Sequence, residues 1–167
     1  MLKNGIKDPV SALTHFIGLL ACIPCIFALI FQASHQDAMT QVIGFAIFGL
    51  SLVLLYGAST IYHTLYVSEA KTILLRRIDH IMIFVLIAGT YTPICLVSLA
   101  GPWGWTMLAL IWILAIGGAV MKIFWIQAPR WLSTSLYIIM GWLAVIAFVP
   151  LQRAVSWDGV GLLLAGG

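Results

Sequence analysis

Residues 42–62 read VIGFAIFGLSLVLLYGASTIY and contain no charged side chain. A helix needs about 20 mostly apolar residues to cross the roughly 30 Å hydrocarbon core of a bilayer, and this run has that length. A strand of an outer-membrane barrel would instead alternate apolar and polar residues over about ten positions. The stretch therefore predicts a membrane-spanning helix.

Similar apolar runs recur along the chain, in which 63% of residues are hydrophobic and only 8% are charged. A soluble domain carries about 25% charged residues. The break at 67–77 is interpreted as a connecting loop, and no soluble module or linker is recognisable. We predict an all-α polytopic membrane helix bundle that forms one domain over 1–167. The predicted spans are 12–31, 42–62, 81–99, 103–121 and 132–149, with the start of a sixth at 159–167.

The last of these runs is short. At about 1.5 Å per residue, residues 159–167 cannot cross the hydrocarbon core. We therefore expect a chain that is incomplete at its C-terminus and ends inside its sixth span.

Basic residues are distributed unequally between the two sides of the membrane when successive loops are assigned alternately to one side and the other. Short loops rich in Lys and Arg remain cytoplasmic, so the sequence predicts a cytoplasmic N-terminus. The same bias accounts for the net charge of +3, and no nucleic-acid partner is expected. Arg153 falls alone on the outer side; the residues on the inner side are Lys3, Lys7, Lys71, Arg76, Arg77, Lys122 and Arg130.

Polar side chains from three spans are predicted to lie in or near the cytoplasmic leaflet. Ser59 and His63 are four residues apart and share one helix face. Ionisable groups at membrane depth are costly, and they commonly mark functional sites. The residues of this set are His15, Ser59, His63, Asp79 and His80.

Each of these residues also has a structural explanation. His63 could be an interfacial histidine, and Asp79 could cap the third span or pair with Arg76. His80 is about 100° from Asp79 around the helix, which favours an interfacial position, and the same holds for His15. These alternatives stay open at the level of sequence.

The functional interpretation is a metal site. Imidazole is a good zinc ligand, a carboxylate can bind zinc or hold its water, and a serine one turn away can orient either. On this interpretation His63 is the metal ligand, Asp79 is the carboxylate, and Ser59 is the serine one turn from His63. Catalytic zinc usually takes three protein ligands, so the predicted site is incomplete within this chain.

The Cys22–Cys25 pair matches a CxxC pattern, but it lies in the middle of the first predicted span beside Pro24. Redox chemistry needs an accessible thiolate, and structural zinc needs further thiolates. We interpret both cysteines as packing residues. Thr90 to Pro93 is interpreted as a kink in the third span.

The polar motifs taken together resemble the bacterial haemolysin III family, the prokaryotic branch of the progestin and adipoQ receptor proteins. The similarity extends over essentially the whole chain. The motifs that carry it are Thr14-His15-x-x-Gly18, Ser59-x-x-Tyr62-His63, Arg76-Arg77-Ile78-Asp79-His80 and Ala88-Gly89-Thr90-Tyr91-Thr92-Pro93.

The resemblance implies a seven-helix bundle with an intracellular N-terminus. It also implies a zinc ion in the cytoplasmic half, with His63 as one ligand. In related receptors the carboxylate that matches Asp79 holds a zinc-bound water, and the serine that matches Ser59 lies beside it. The other ligands come from an HxxxH motif in the seventh span, which lies beyond these 167 residues.

Several functions are compatible with this pattern, and membrane lipids are the expected partners. The first is a zinc-dependent hydrolase of lipid amides or esters, in which zinc activates water, Asp79 takes the proton and Ser59 steadies the oxyanion. The alternative is a non-catalytic sensor or regulator of membrane lipid homeostasis. A cytolytic haemolysin ranks lower, because pore-formers need a soluble form. Proton transport ranks lower because no charged group marks the middle of a span.

Overall fold

The computed structural model describes residues 5–36, 38–99 and 101–166, and all regular structure within them is helical. A short π-helical segment, Ile94–Ser98, follows the third helix. The helices are α1 (Pro9–His35), α2 (Met39–Thr64), α3 (Glu69–Pro93), α4 (Pro102–Phe124), α5 (Arg130–Ile146), α6 (Phe148–Ala154) and α7 (Trp157–Gly166).

Four helices, α1 to α4, are long and apolar enough to cross a membrane. The α5 and α6 helices together meet the same criterion but are bent by 53° at their junction. Pro150 explains the bend, because it lacks the N–H that would bond to the carbonyl of Ile146 four residues earlier. The predicted all-α polytopic membrane bundle is confirmed.

The α3 helix begins at Glu69, so the prediction of a loop over 67–77 was wrong. Only residues 65–68 lie outside the helices at this connection. The acidic side chain of Glu69 in the first turn suits the positive end of the helix dipole. Hydropathy predicts only the apolar part of a helix, and α3 extends beyond its apolar part as a polar helical segment.

The core is centred on α3, α4 and α5, where the side chains of Phe84, Ile111 and Met140 are completely buried. The Tyr91 hydroxyl donates to the backbone carbonyl oxygens of Met140 and Gly141 in α5, both at 2.8 Å. Close approach of α4 to α3 depends on Gly118, where a Cβ atom would collide with the Phe84 ring. Small residues at such contacts are typical of membrane helix pairs, which associate through close packing.

Candidate functional site

The packing of α2 against α3 sets the level of the predicted site residues. Gly89 of α3 lies directly against Ser51 of α2, and Gly44 of α2 lies against the backbone of Pro93. Both helices rise about 1.5 Å per residue, so residues equally far from such a contact lie at the same level. The Gly89–Ser51 contact places Asp79 level with position 61 of α2, and the Gly44–Pro93 contact places it level with position 58. Ser59 lies between these two positions.

Ser59 and Asp79 also lie on the same side of the α2–α3 pair. Ser51 and Gly89 lie at the α2–α3 interface. Around the axis of α2, Ser59 is about 80° from Ser51, and around the axis of α3, Asp79 is about 80° from Gly89. Because the two helices are antiparallel, both displacements are toward the same side of the pair. Both residues are buried, with exposed fractions of 3% and 8%. Helix geometry therefore places Ser59 and Asp79 at one level and on one side of the α2–α3 pair.

Neither structural explanation of Asp79 holds. Asp79 lies in the interior of α3, whose N-cap position is Ser68, so it does not cap the helix. Within the described part of the chain, no ion pair joins Asp79 to Arg76; Asp8 pairs with Lys7 there and also accepts a hydrogen bond from His63. A buried carboxylate without a cationic partner is costly. Asp79 thus remains a strong candidate for a functional role.

His63 lies in the last turn of α2 and contacts residues that precede α1. Its Nδ1 donates to Oδ2 of Asp8 at 3.0 Å, and its ring stacks on that of His15 with centroids 5.5 Å apart. The Nδ1 of His15 in turn donates to the carbonyl oxygen of Ser11 at 2.6 Å. In a neutral imidazole with its proton on Nδ1, the free lone pair is on Nε2, which is then the nitrogen that each ring can offer to a ligand.

Sequence reasoning missed the segment that holds His63 in place. The backbone N–H of Asp8 donates to the carbonyl oxygen of His63 at 2.9 Å. The ammonium of Lys7 donates to the carbonyl oxygen of Tyr62 at 3.3 Å and lies 3.5 Å from the centre of the Tyr62 ring. Asp8, immediately before Pro9 at the start of α1, resembles an ordinary helix cap, yet its carboxylate makes no cap bond and binds His63 instead.

The donor atoms match zinc in type but not in number. Across residues 5–36, 38–99 and 101–166, no group of three or more His, Cys, Asp or Glu side chains is arranged to hold a metal ion. Zinc sites need three or four protein ligands. The described residues therefore do not complete a zinc site by themselves, and His63 would be one ligand among others.

The two cysteines of the CxxC pattern differ in burial. Cys22 is buried and Cys25 is exposed on the outside of α1, and both are free thiols, as is the buried Cys95. Packing in the interior therefore describes Cys22 but not Cys25.

The fold and site together define a polytopic α-helical membrane protein with a buried polar cluster at one end of α2 and α3. Comparison with protein families then identifies the chain more closely. The family described as "Haemolysin-III related" matches residues 4–167, so the chain belongs to the haemolysin III family.

Two curated relatives agree with this assignment. The chain is similar to "Hemolysin-3" of Bacillus cereus, with 44% identity over 167 residues that cover 99% of this chain and 76% of the relative. It is also similar to "Hemolysin-3 homolog" of Bacillus subtilis (strain 168), with 45% identity over 163 residues that cover 97% of this chain and 76% of the relative. No solved structure matches the chain.

Proposed function

We propose that this haemolysin III protein is a zinc-binding enzyme that hydrolyses an amide or ester bond of a membrane lipid. The observation that supports this most is the shared position of Ser59 and Asp79, two buried polar residues that face one side of the α2–α3 pair. Burial of such groups in a membrane bundle is costly and is commonly retained for function. The proposal places the N-terminus and this cluster on the cytoplasmic side of the bacterial inner membrane, as the distribution of basic residues favours.

The contacts of His63 support its role as a zinc ligand. Histidine ligands usually donate their second ring N–H to a carboxylate or carbonyl, which fixes the ring and its tautomer. Asp8 accepts such a bond from Nδ1 of His63, so that Nε2 is the nitrogen left for zinc. The remaining ligands would come from outside the described residues.

The two buried residues have distinct roles in the proposed reaction. As water attacks the lipid carbonyl carbon, the Asp79 carboxylate accepts a proton from that water and the Ser59 hydroxyl donates to the carbonyl oxygen. The proton then passes to the leaving amine or alcohol as its bond to carbon breaks. The products are a free fatty acid and the amine or alcohol.

The test is fatty-acid release in proteoliposomes that contain amide-linked and ester-linked lipids. Asp79→Asn keeps the shape of the side chain but removes the base, and we expect a rate loss of about 10²- to 10⁴-fold. Glu69→Gln is the matched control, because it neutralises an exposed acid at the start of the same helix. Equal rates for wild type and Asp79→Asn would refute the proposal.

A non-catalytic role is the second candidate, because the contacts of His63 also tie the segment before α1 to the end of α2. In that case zinc would hold helices together, and the protein would act as a regulator of membrane lipid homeostasis. Unaltered function in Asp79→Asn together with loss of function in His63→Ala would favour it. The names of the relatives point to cytolysis. This function has the least support, because pore-formers begin as soluble proteins and this chain consists mainly of long apolar helices.

A further inference from the structure

A second polar site lies between α3, α4 and α5, on helices that do not carry His63 or Ser59. It is a cavity of about 530 Å³ at the end of the bundle where α3 and α5 begin and α4 ends. Its polar lining includes Arg76, His80, Lys122, Arg130, Ser133 and Tyr137.

The residues that line this cavity carry a net positive charge, although Asp79 lies close enough to interact electrostatically with His80 and Tyr137. Lys122 is only 3% exposed. None of the residues that line the cavity is acidic, and in the described part of the chain neither Arg76, Lys122 nor Arg130 forms an ion pair. Asp79 is the acidic residue nearest in sequence, but it is about 100° from His80 around the helix and does not line the cavity. A buried cation without a counter-charge is costly unless an anion joins it.

Buried polar atoms without a hydrogen-bond partner also occur in the residues that line the cavity. The Nε of Arg76, the Nδ1 of His80 and the Oγ of Ser133 are buried without a hydrogen-bond partner. Most buried polar atoms in proteins are paired, so a group of orphans in one cavity calls for a ligand. Arginine Nε can only donate, whereas imidazole and hydroxyl groups can donate or accept. A ligand rich in acceptor oxygens would offer partners to the polar groups of these lining residues.

The start of α5 adds a further source of positive potential. The helix is 17 residues long and begins at Arg130, and Pro129 at its N-cap position supplies no capping side chain. The first backbone N–H groups of a helix are unsatisfied, and the helix dipole favours anions there. Ser133 lies within this first turn and is 6% exposed.

We propose that this cavity binds a phosphate group, with the headgroup of an anionic phospholipid as its natural source. Phosphate offers several acceptor oxygens to the guanidinium, ammonium and hydroxyl groups, and Arg is well suited to such contacts. Basic pockets between membrane helices on the cytoplasmic side commonly hold anionic headgroups. The exposed side chains of Trp125 and Trp131 flank the α4–α5 connection, as expected at the level of lipid headgroups. A soluble phosphate compound would present the same chemistry.

The experiment is a binding titration of the purified protein in an uncharged detergent with three probes. The probes are dihexanoyl phosphatidylglycerol, dihexanoyl phosphatidylcholine and inorganic phosphate. Arg130→Gln removes an exposed cation at the edge of the cavity, and Lys122→Gln removes the buried one. Lys71→Gln is the matched control, because it removes an exposed cation from the first turns of α3, outside the cavity lining.

We expect phosphatidylglycerol to bind more tightly than phosphatidylcholine, and each cavity variant to weaken that binding about tenfold or more. Lys71→Gln should bind like the wild type. Tight binding of phosphatidylglycerol with weak binding of inorganic phosphate identifies the lipid as the source. Equally tight binding of inorganic phosphate, with the same dependence on Arg130, identifies a soluble phosphate compound.

Three results would overturn the inference: no binding of either anionic probe, binding that neither cavity variant weakens, or an equal loss in Lys71→Gln. If Lys122→Gln does not fold, Arg130→Gln and Ser133→Ala carry the test, because the first is exposed and the second removes only a hydroxyl group.

Discussion

The close contact between α3 and α4 can be tested with a pair of adjacent glycines. A Cβ atom at Gly118 would collide with the Phe84 ring, whereas a Cβ atom at Gly117 meets no atom within 4 Å. Phe84 is completely buried and packs against Tyr137 with ring centroids 4.6 Å apart, so its ring has no free space to enter. Gly118→Val should therefore force the two helices apart. Overpacking of this kind costs about 1–3 kcal/mol.

The assay is thermal or denaturant unfolding in mixed micelles, with Gly117→Val as the control. Both variants place the same β-branched side chain in the same helix, so the change in helix propensity cancels between them. A cost near 2 kcal/mol corresponds to a decrease in Tm of about 4–8 °C for a chain of this size. Equal stability of the two variants, or a larger loss in Gly117→Val, would refute the packing of α3 on α4 described here.

Three further outcomes are expected. Tyr91→Phe removes the hydroxyl that donates to two carbonyl oxygens of α5 and should lower the free energy of unfolding by about 0.6–1.7 kcal/mol, the range for hydrogen bonds between membrane helices; an unchanged melting curve would contradict it. A membrane-permeant thiol reagent should modify the exposed Cys25 before the buried Cys95, and mass spectrometry showing the reverse order would contradict the packing of α3. In a cysteine-free background, an impermeant reagent added to intact cells should label Arg153→Cys and leave Lys71→Cys unlabelled; the opposite result would invert the proposed orientation.

The sequence was sufficient to predict the membrane helices, because uninterrupted apolar length is a strong local signal. It could not reveal that α3 begins at Glu69, because hydropathy does not distinguish a polar helical extension from a loop. The bend between α5 and α6 was also missed, although Pro150 provides a local reason for it. At both places the local composition is compatible with more than one backbone conformation, and the packing of the helices determines which one forms.

The candidate site was predictable in part. Ser59, His63 and Asp79 stand out because polar residues at the ends of apolar runs are unusual. The bond between Asp8 and His63 depends on how the residues before α1 fold back, which no local pattern encodes. The cavity around Lys122 was missed for a different reason. A lysine near the end of a span is normally explained by the positive-inside rule, so Lys122 gave no sign of a site.

Zinc content is the most direct test of whether His63 belongs to a zinc site. A form of the protein that spans the full length of its relatives should be purified from its host membrane in mild detergent without chelators, and its zinc measured per chain by mass spectrometry. His35→Ala is the matched control, because His35 is an exposed histidine at the far end of α1. We predict about one zinc per chain in the wild type and in His35→Ala, and its loss in His63→Ala. A wild type without zinc, or a His63→Ala variant that keeps it, would contradict the account.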